Sequence, residues 1–113
     1  MSNYVLNISD GKESSNPVRV DLLAVKKSAV ILRALNHKLR QQILRLIADN
    51  GPISVTDIYV KLRLEQSVAS QHLAILRKAG FVKTKRDGKY IYYAPNMPRV
   101  RQISQVTQSL AGH

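Results

Sequence analysis

The stretch from Glu65 to Tyr93, EQSVASQHLAILRKAGFVKTKRDGKYIYY, is compatible with few folds. Val68, Ala69, Leu73, Leu76 and Ala79 recur at three- and four-residue spacing, which places them on one face of a helix of about 3.6 residues per turn. The opposite face carries Gln66, Ser67, Ser70, Gln71, Ala74, Arg77 and Lys78: short, polar, and basic only at its C-terminal end. Gly80 falls where a left-handed residue closes a helix, and Phe81 follows where the accompanying apolar contact is made, so the helix should stop near Ala79. Asp87-Gly88 then predicts a type I′ turn between two strands, because both central residues of such a turn take positive φ.

A two-residue loop at Asp87-Gly88 sets Arg86 against Lys89, Lys85 against Tyr90, Thr84 against Ile91, Lys83 against Tyr92 and Val82 against Tyr93. Strand faces alternate, so Val82, Ile91 and Tyr93 share a side that can pack on the helix. Lys83, Lys85, Tyr90 and Tyr92 share the other, where ammonium groups supply charge and phenol hydroxyls donate hydrogen bonds to phosphate oxygens. The plainer account of such a surface is a hairpin kept soluble by its lysines. With the small polar helix in front of it, the pattern is that of a recognition helix followed by a wing.

Charge agrees with a polyanionic partner. In 113 residues, enough for one domain, 18 Lys and Arg stand against 7 Asp and Glu, for a net charge of +11 and a pI near 10.4. From Leu22 onward the only acids are Asp49, Asp57, Glu65 and Asp87. The absence of cysteine excludes disulfides, thiolate metal sites and thiol redox sensing in this chain. No apolar run approaches the roughly 20 residues that span a bilayer, and the first sixteen residues lack a secretory pattern, so a cytoplasmic protein is expected. Catalysis finds no support: there is no glycine-rich phosphate loop, nucleophile elbow or close carboxylate pair, and no cofactor is implied.

Residues 1–16 read as a flexible N-terminal arm, and residues 17–113 as a single domain. Asn16-Pro17 has the form of a helix opening, with proline at the first helical position. Leu22, Val25, Ala29, Leu32 and Leu35 follow at helical spacing, widened by Leu23, Val30 and Ile31, which is more apolar surface than a small domain covers by itself. Asn36-His37 separates this helix from a second, with Leu39, Ile43, Leu44, Leu46 and Ile47 inward, and Asn50-Gly51-Pro52 ends it. Ser54 and Asp57 form a capping box for a short third helix, from Val55 to about Leu62. A turn at Arg63-Leu64 leads into the helix described above, which makes a helix-turn-helix. A last helix, capped by Asn96-Met97-Pro98 and expected to run through Ser109, carries the stripe Val100, Ile103, Val106 or Thr107, and Leu110. The fold expected is mainly α: about five helices and a two-stranded wing. Leu22, Val25, Ala29 and Leu32 of the first helix, with Val100, Ile103, Val106 and Leu110 of the last, are the expected dimer interface.

The run Ala34-Leu-Asn-His-Lys-Leu-Arg-Gln-Gln-Ile-Leu44, the run Gln66 to Val82 and the wing Asp87 to Tyr93 resemble the ArsR/SmtB family of bacterial winged-helix repressors over roughly Val25 to Asn96. The resemblance implies a homodimer that binds an inverted-repeat operator in double-stranded DNA and is released by an inducer. It departs from the metal-sensing members. Where they carry a Cys-Val-Cys-Asp run this chain reads Ser54-Val55-Thr56-Asp57, and residues 96–110 contain no Asp, Glu or His. Hydroxyls are poor ligands for soft metals, and His37, His72 and His113 have no ligand spacing, so no metal is expected.

Ser67, Ser70 and Gln71 are the residues expected at base edges, since a glutamine amide pairs bidentately with adenine and serines donate or accept. His72 joins them by resemblance, although a lone His on a helix flank equally serves in packing. Gln66, Arg77, Lys83, Lys85, Arg86, Lys89, Tyr90 and Tyr92 are expected at the DNA backbone, with Arg77 also placed to complement the helix dipole. Lys38 and Arg40, opening the second helix, read as solvent-exposed cations within reach of phosphate. Two other functions are compatible with the sequence: a winged helix that docks an acidic protein, and a sensor whose non-thiolate ligand sits at the dimer seam.

Overall fold

A computed structural model describes residues 4–13 and 16–112. In chain order it contains β1 (Val5–Ile8), β2 (Val18–Asp21), α1 (Leu22–Leu35), α2 (Lys38–Asn50), β3 (Ile53–Ser54), α3 (Val55–Lys61), α4 (Gln66–Lys78), β4 (Val82–Asp87), β5 (Tyr90–Pro95) and α5 (Met97–Ala111). The fold is a winged helix-turn-helix, mainly helical, as expected. Its core joins α2, α3, α4 and the residues just after α4: Ile43, Ile47, Ile58, Leu73, Leu76 and Phe81 are completely buried.

The helix-turn-helix is shaped by one device used twice. At the end of α4, Phe81 N–H donates to the Leu76 carbonyl at 2.9 Å and Gly80 N–H to the Arg77 carbonyl at 3.0 Å, with Gly80 at φ +84°. That is the paired bonding of a Schellman motif, and it turns Phe81 back under Leu76. At the end of α3, Leu64 N–H donates to the Tyr59 carbonyl at 2.9 Å and Arg63 N–H to the Val60 carbonyl at 3.2 Å. Here the left-handed residue is Arg63, at φ +55°. Asn96 then locks the wing to α4: its backbone N–H donates to the Phe81 carbonyl, and its side-chain amide donates to the Gly80 carbonyl at 2.7 Å. Its side chain makes no capping bond to α5.

Three features differ from expectation. The first helix does not open at Asn16-Pro17. Val18, Arg19 and Val20 continue as β2, antiparallel to β1, and Asp21 caps α1 by accepting from Leu23 N–H at 3.0 Å and Ala24 N–H at 3.1 Å. A carboxylate that accepts two orphan amides is a stronger start signal than a favourable proline. The stretch read as an arm therefore contains a strand, in which Leu6 and Ile8 lie opposite Val20 and Val18.

The wing sheet has three strands rather than two, in the order β3-β5-β4, because Ile53 and Ser54 pair with Tyr93 and Tyr92. Its hairpin register is displaced as well. Asp87 pairs with Tyr90, Arg86 with Ile91, Lys85 with Tyr92, Thr84 with Tyr93, Lys83 with Ala94 and Val82 with Pro95. The loop is Gly88-Lys89, with positive φ at Gly88 alone, the pattern of a type II′ turn. The displacement is two residues, so every side chain keeps its expected face. Ile91, however, now lies opposite Arg86 toward the tip and is 40% exposed instead of packing on the helix.

The molecule is long, 62 × 33 × 22 Å, because the first turns of α1 and the β1–β2 hairpin stand away from the core. A Cβ at position 80 would combine positive φ with a 3.1 Å approach to Arg99 Nε. Gly80→Ala is therefore expected to lower unfolding free energy by about 1–2 kcal/mol, measured by urea denaturation.

Candidate nucleic-acid interface

The helical period of α4 divides its side chains cleanly. Ala69, Leu73 and Leu76 are buried, while Gln66, Ser67, Ser70, Gln71, Ala74, Arg77 and Lys78 are exposed. Ala74 lies between Ser67, Ser70, Gln71 and Lys78 on the outward stripe, so no bulky side chain stands in the middle of it. The Phe81 turn carries the chain directly from this helix into the wing.

On the wing, Lys83, Lys85, Tyr90 and Tyr92 share one face. Lys83 and Lys85 are exposed, Tyr90 is 48% exposed and Tyr92 half-buried. The Tyr90 and Tyr92 rings lie 6.5 Å apart between centroids, and Lys89 Nζ stands 5.5 Å from the Tyr90 ring centre. Arg86 is exposed on the opposite face, near the tip. None of these wing cations is paired with a carboxylate among the described residues; the ion pair found there, Arg45–Asp49, lies on α2. The wing thus offers uncompensated charge.

His72 and Arg40 behave differently from the rest of the set. His72 is half-buried on the α4 flank, its ring 4.9 Å from that of His37, which caps α2 through a bond from Arg40 N–H. Arg40 is half-buried rather than solvent-exposed, and its guanidinium is turned to protein carbonyls. Its Nε donates to the Ala34 carbonyl at 2.6 Å and its Nη2 to the Arg33 carbonyl at 3.2 Å, satisfying the end of α1. Its Nη1 lies 3.3 Å from His72 Nδ1. A guanidinium can only donate, so His72 accepts at Nδ1 and holds its proton on Nε2. Burial holds the His72 pKa below its ordinary 6.5, and the nearby His37 and Arg40 charges act in the same direction. Sequence patterns missed this joint because Arg40 and His72 are 32 residues apart.

Residues 37–84 match the profile of the bacterial regulatory proteins of the arsR family. The transcriptional activator HlyU of Vibrio cholerae is 34% identical over 84 residues, 74% of this chain and 77% of HlyU. Its solved structure superposes with a TM-score of 0.62 at 32% identity, covering 80% of this chain and 97% of that one. The chain belongs to the arsR family.

This ArsR-family protein is a DNA-binding transcriptional regulator, from a family of regulators and not of enzymes. The transcriptional repressor PagR of Bacillus anthracis is 32% identical over 85 residues, 75% of this chain and 85% of PagR. Relatives of similar identity thus include an activator and a repressor. The solution structure of a homodimeric winged helix-turn-helix DNA-binding domain from Mycobacterium bovis superposes with a TM-score of 0.66 at 27% identity, covering 80% of this chain and 88% of that one.

Ser54, which the family resemblance sets at the start of the metal-sensing run, is buried, and its hydroxyl accepts from Asp57 N–H at 3.1 Å to cap α3. An oxygen committed to a helix cap does not fit a soft cation. Among the described residues, no three of His, Cys, Asp and Glu converge. Also among them, no helix is long and apolar enough to cross a membrane.

The His72 joint has a pH signature. Its pKa is lowered on folding, so as pH falls below about 6.5 the unfolded chain takes up the proton first and the folded state loses stability. Thermal melting between about pH 7.5 and about pH 5.5 should show a fall in Tm that is smaller in His72→Gln.

Proposed function

We propose that the chain is a homodimeric repressor that reads an inverted-repeat operator in double-stranded DNA, with the α4 helices in successive major grooves about 34–36 Å apart. The observation that carries the proposal is the exposed small polar face of α4 followed at once in the chain by wing cations that have no carboxylate partner among the described residues. Ser67, Ser70 and Gln71 meet base edges. Gln66, Arg77, Lys83, Lys85, Arg86, Lys89, Tyr90 and Tyr92 hold the backbone. His72, engaged at Nδ1 by Arg40, sets the pose of α4 against α1 and keeps only its Nε2–H for DNA.

The second copy is supported by apolar surface that the monomer leaves uncovered. On α1, Val25 is 53% exposed and Ala29 is exposed, with Leu22 and Leu32 half-buried beside them. On α5, Val100 and Ile103 pack partly on the core, while Val106 and Leu110 are 43% and 76% exposed. Residues 17–113 act as one domain dimerised through these terminal helices, with residues 1–16 as an arm carried on β2.

Selection of random duplex DNA by the purified protein tests the reading. The expected product is an inverted repeat with half-site centres about one helical turn apart; a pool without any enriched motif would refute it. On the selected operator, Gln71→Ala should lose roughly 1–3 kcal/mol of discrimination at one base pair, whereas Lys85→Ala should weaken all sequences alike and flatten the salt dependence. Leu110→Glu should convert the dimer to a folded monomer, read by light scattering alongside circular dichroism.

A further inference from the structure

The apolar surplus of α1 is not one stripe but two. Lys27, Val30, Ile31 and Ala34 follow one another at helical spacing, and at 3.6 residues per turn their mean direction lies roughly 170° from that of Leu22, Val25, Ala29 and Leu32. The second set is the proposed dimer face. The first borders a groove of about 560 Å³ between α1 and the C-terminal end of α4. A copy seated on the proposed dimer face would meet α1 from the side opposite the groove.

The groove has the composition of a ligand site. Val30, Ile31, Ala34, Ile75 and Ala79 form an apolar floor, and Val30 and Ile75 are 53% and 41% exposed although both belong to otherwise ordered helices. Lys27, Arg33 and Lys78 stand around it, with Arg40 behind, and no acidic residue lines it. Neither Lys27, Arg33 nor Lys78 has a carboxylate partner among the described residues. A concave apolar surface of this size with a few convergent polar groups suits a small organic molecule. The rim fixes its charge as negative, and the planar fork of Arg33 suits a carboxylate.

We propose that this groove binds a small amphipathic carboxylate, a compound with one carboxyl group and a hydrocarbon or aromatic body, and that occupancy lowers affinity for DNA. The anion neutralises cations beside the recognition helix, and its body wedges between α1 and α4, the two elements that Arg40 and His72 otherwise hold in register. This site lies away from the dimer seam. The binding half stands without reference to DNA; the regulatory half rests on the proposed function.

Octanoate is the probe, titrated into the full-length protein by isothermal calorimetry in the absence of DNA, with 1-octanol and octylammonium as neutral and cationic counterparts. Saturable binding of about one octanoate per chain is expected, at least tenfold tighter than octanol, with no octylammonium binding. Val30→Glu, which sets a carboxylate in the groove, should abolish it, and Lys27→Gln/Lys78→Gln should weaken it several-fold. Amide resonances of Ala34, Ile75 and Ala79 should shift on titration. Equal binding of octanoate and octanol, unchanged binding in Val30→Glu, or no saturable binding would overturn the site. Conversion of Val30→Glu to a monomer would overturn it too, by showing that a second copy covers the groove. The regulatory half is read on the selected operator: octanoate should reduce wild-type affinity several-fold and leave Val30→Glu unaffected, and an unchanged wild-type affinity in the presence of bound octanoate would overturn it. Failure to select any operator would remove the DNA reading while leaving the calorimetric result intact.

Discussion

At Gly80 the chain leaves α4 at φ +84°, and the next residue, Phe81, is driven into the core with no exposed surface. Burying a phenylalanine side chain contributes roughly 1.5–3 kcal/mol, and here it also decides direction. The same turn presents the Gly80 and Phe81 carbonyls to Asn96, which binds both, so the entry to α4's wing and the exit from that wing are tied at one point. The angle between α4 and the wing, and with it the placement of the polar face of α4 relative to the basic face of the wing, is set there. An alanine in place of Gly80 strains the one joint that both elements share.

A second joint connects the reading surface to the rest of the molecule. Arg40 satisfies the last carbonyls of α1 and meets His72 on α4, and the His37 ring lies tilted against the same imidazole. The helix proposed to form the dimer and the helix proposed to read DNA are thereby linked through one guanidinium. That link borders the basic-rimmed groove, which is why a bound anion there is positioned to influence both.

Legibility of the sequence differed by element for physical reasons. α4 and its stop were readable because five apolar residues at helical spacing and a glycine followed by phenylalanine are local signals. The wing faces were readable although the register was not: Asp-Gly suggested a loop one residue early, and a two-residue displacement preserves side-chain alternation. β3 escaped notice because two residues carry no periodicity, and its pairing partners lie some forty positions away in β5. The start of α1 was misplaced because Asn16-Pro17 and Asp21 are both plausible caps in isolation. β1 is what tips the choice, since it pairs with residues 18–21 as a strand.

The sequence by itself determined the class of the fold, the faces of α4 and of the wing, and the positive charge that faces outward, all consequences of short-range spacing and composition. Tertiary structure alone decided where His72 and Arg40 belong, and that the apolar width of α1 separates into two opposed faces. Those outcomes depend on which elements lie against each other across more than thirty residues of chain. Periodicity within a single helix cannot carry that information, because burial is a property of the partner as much as of the residue.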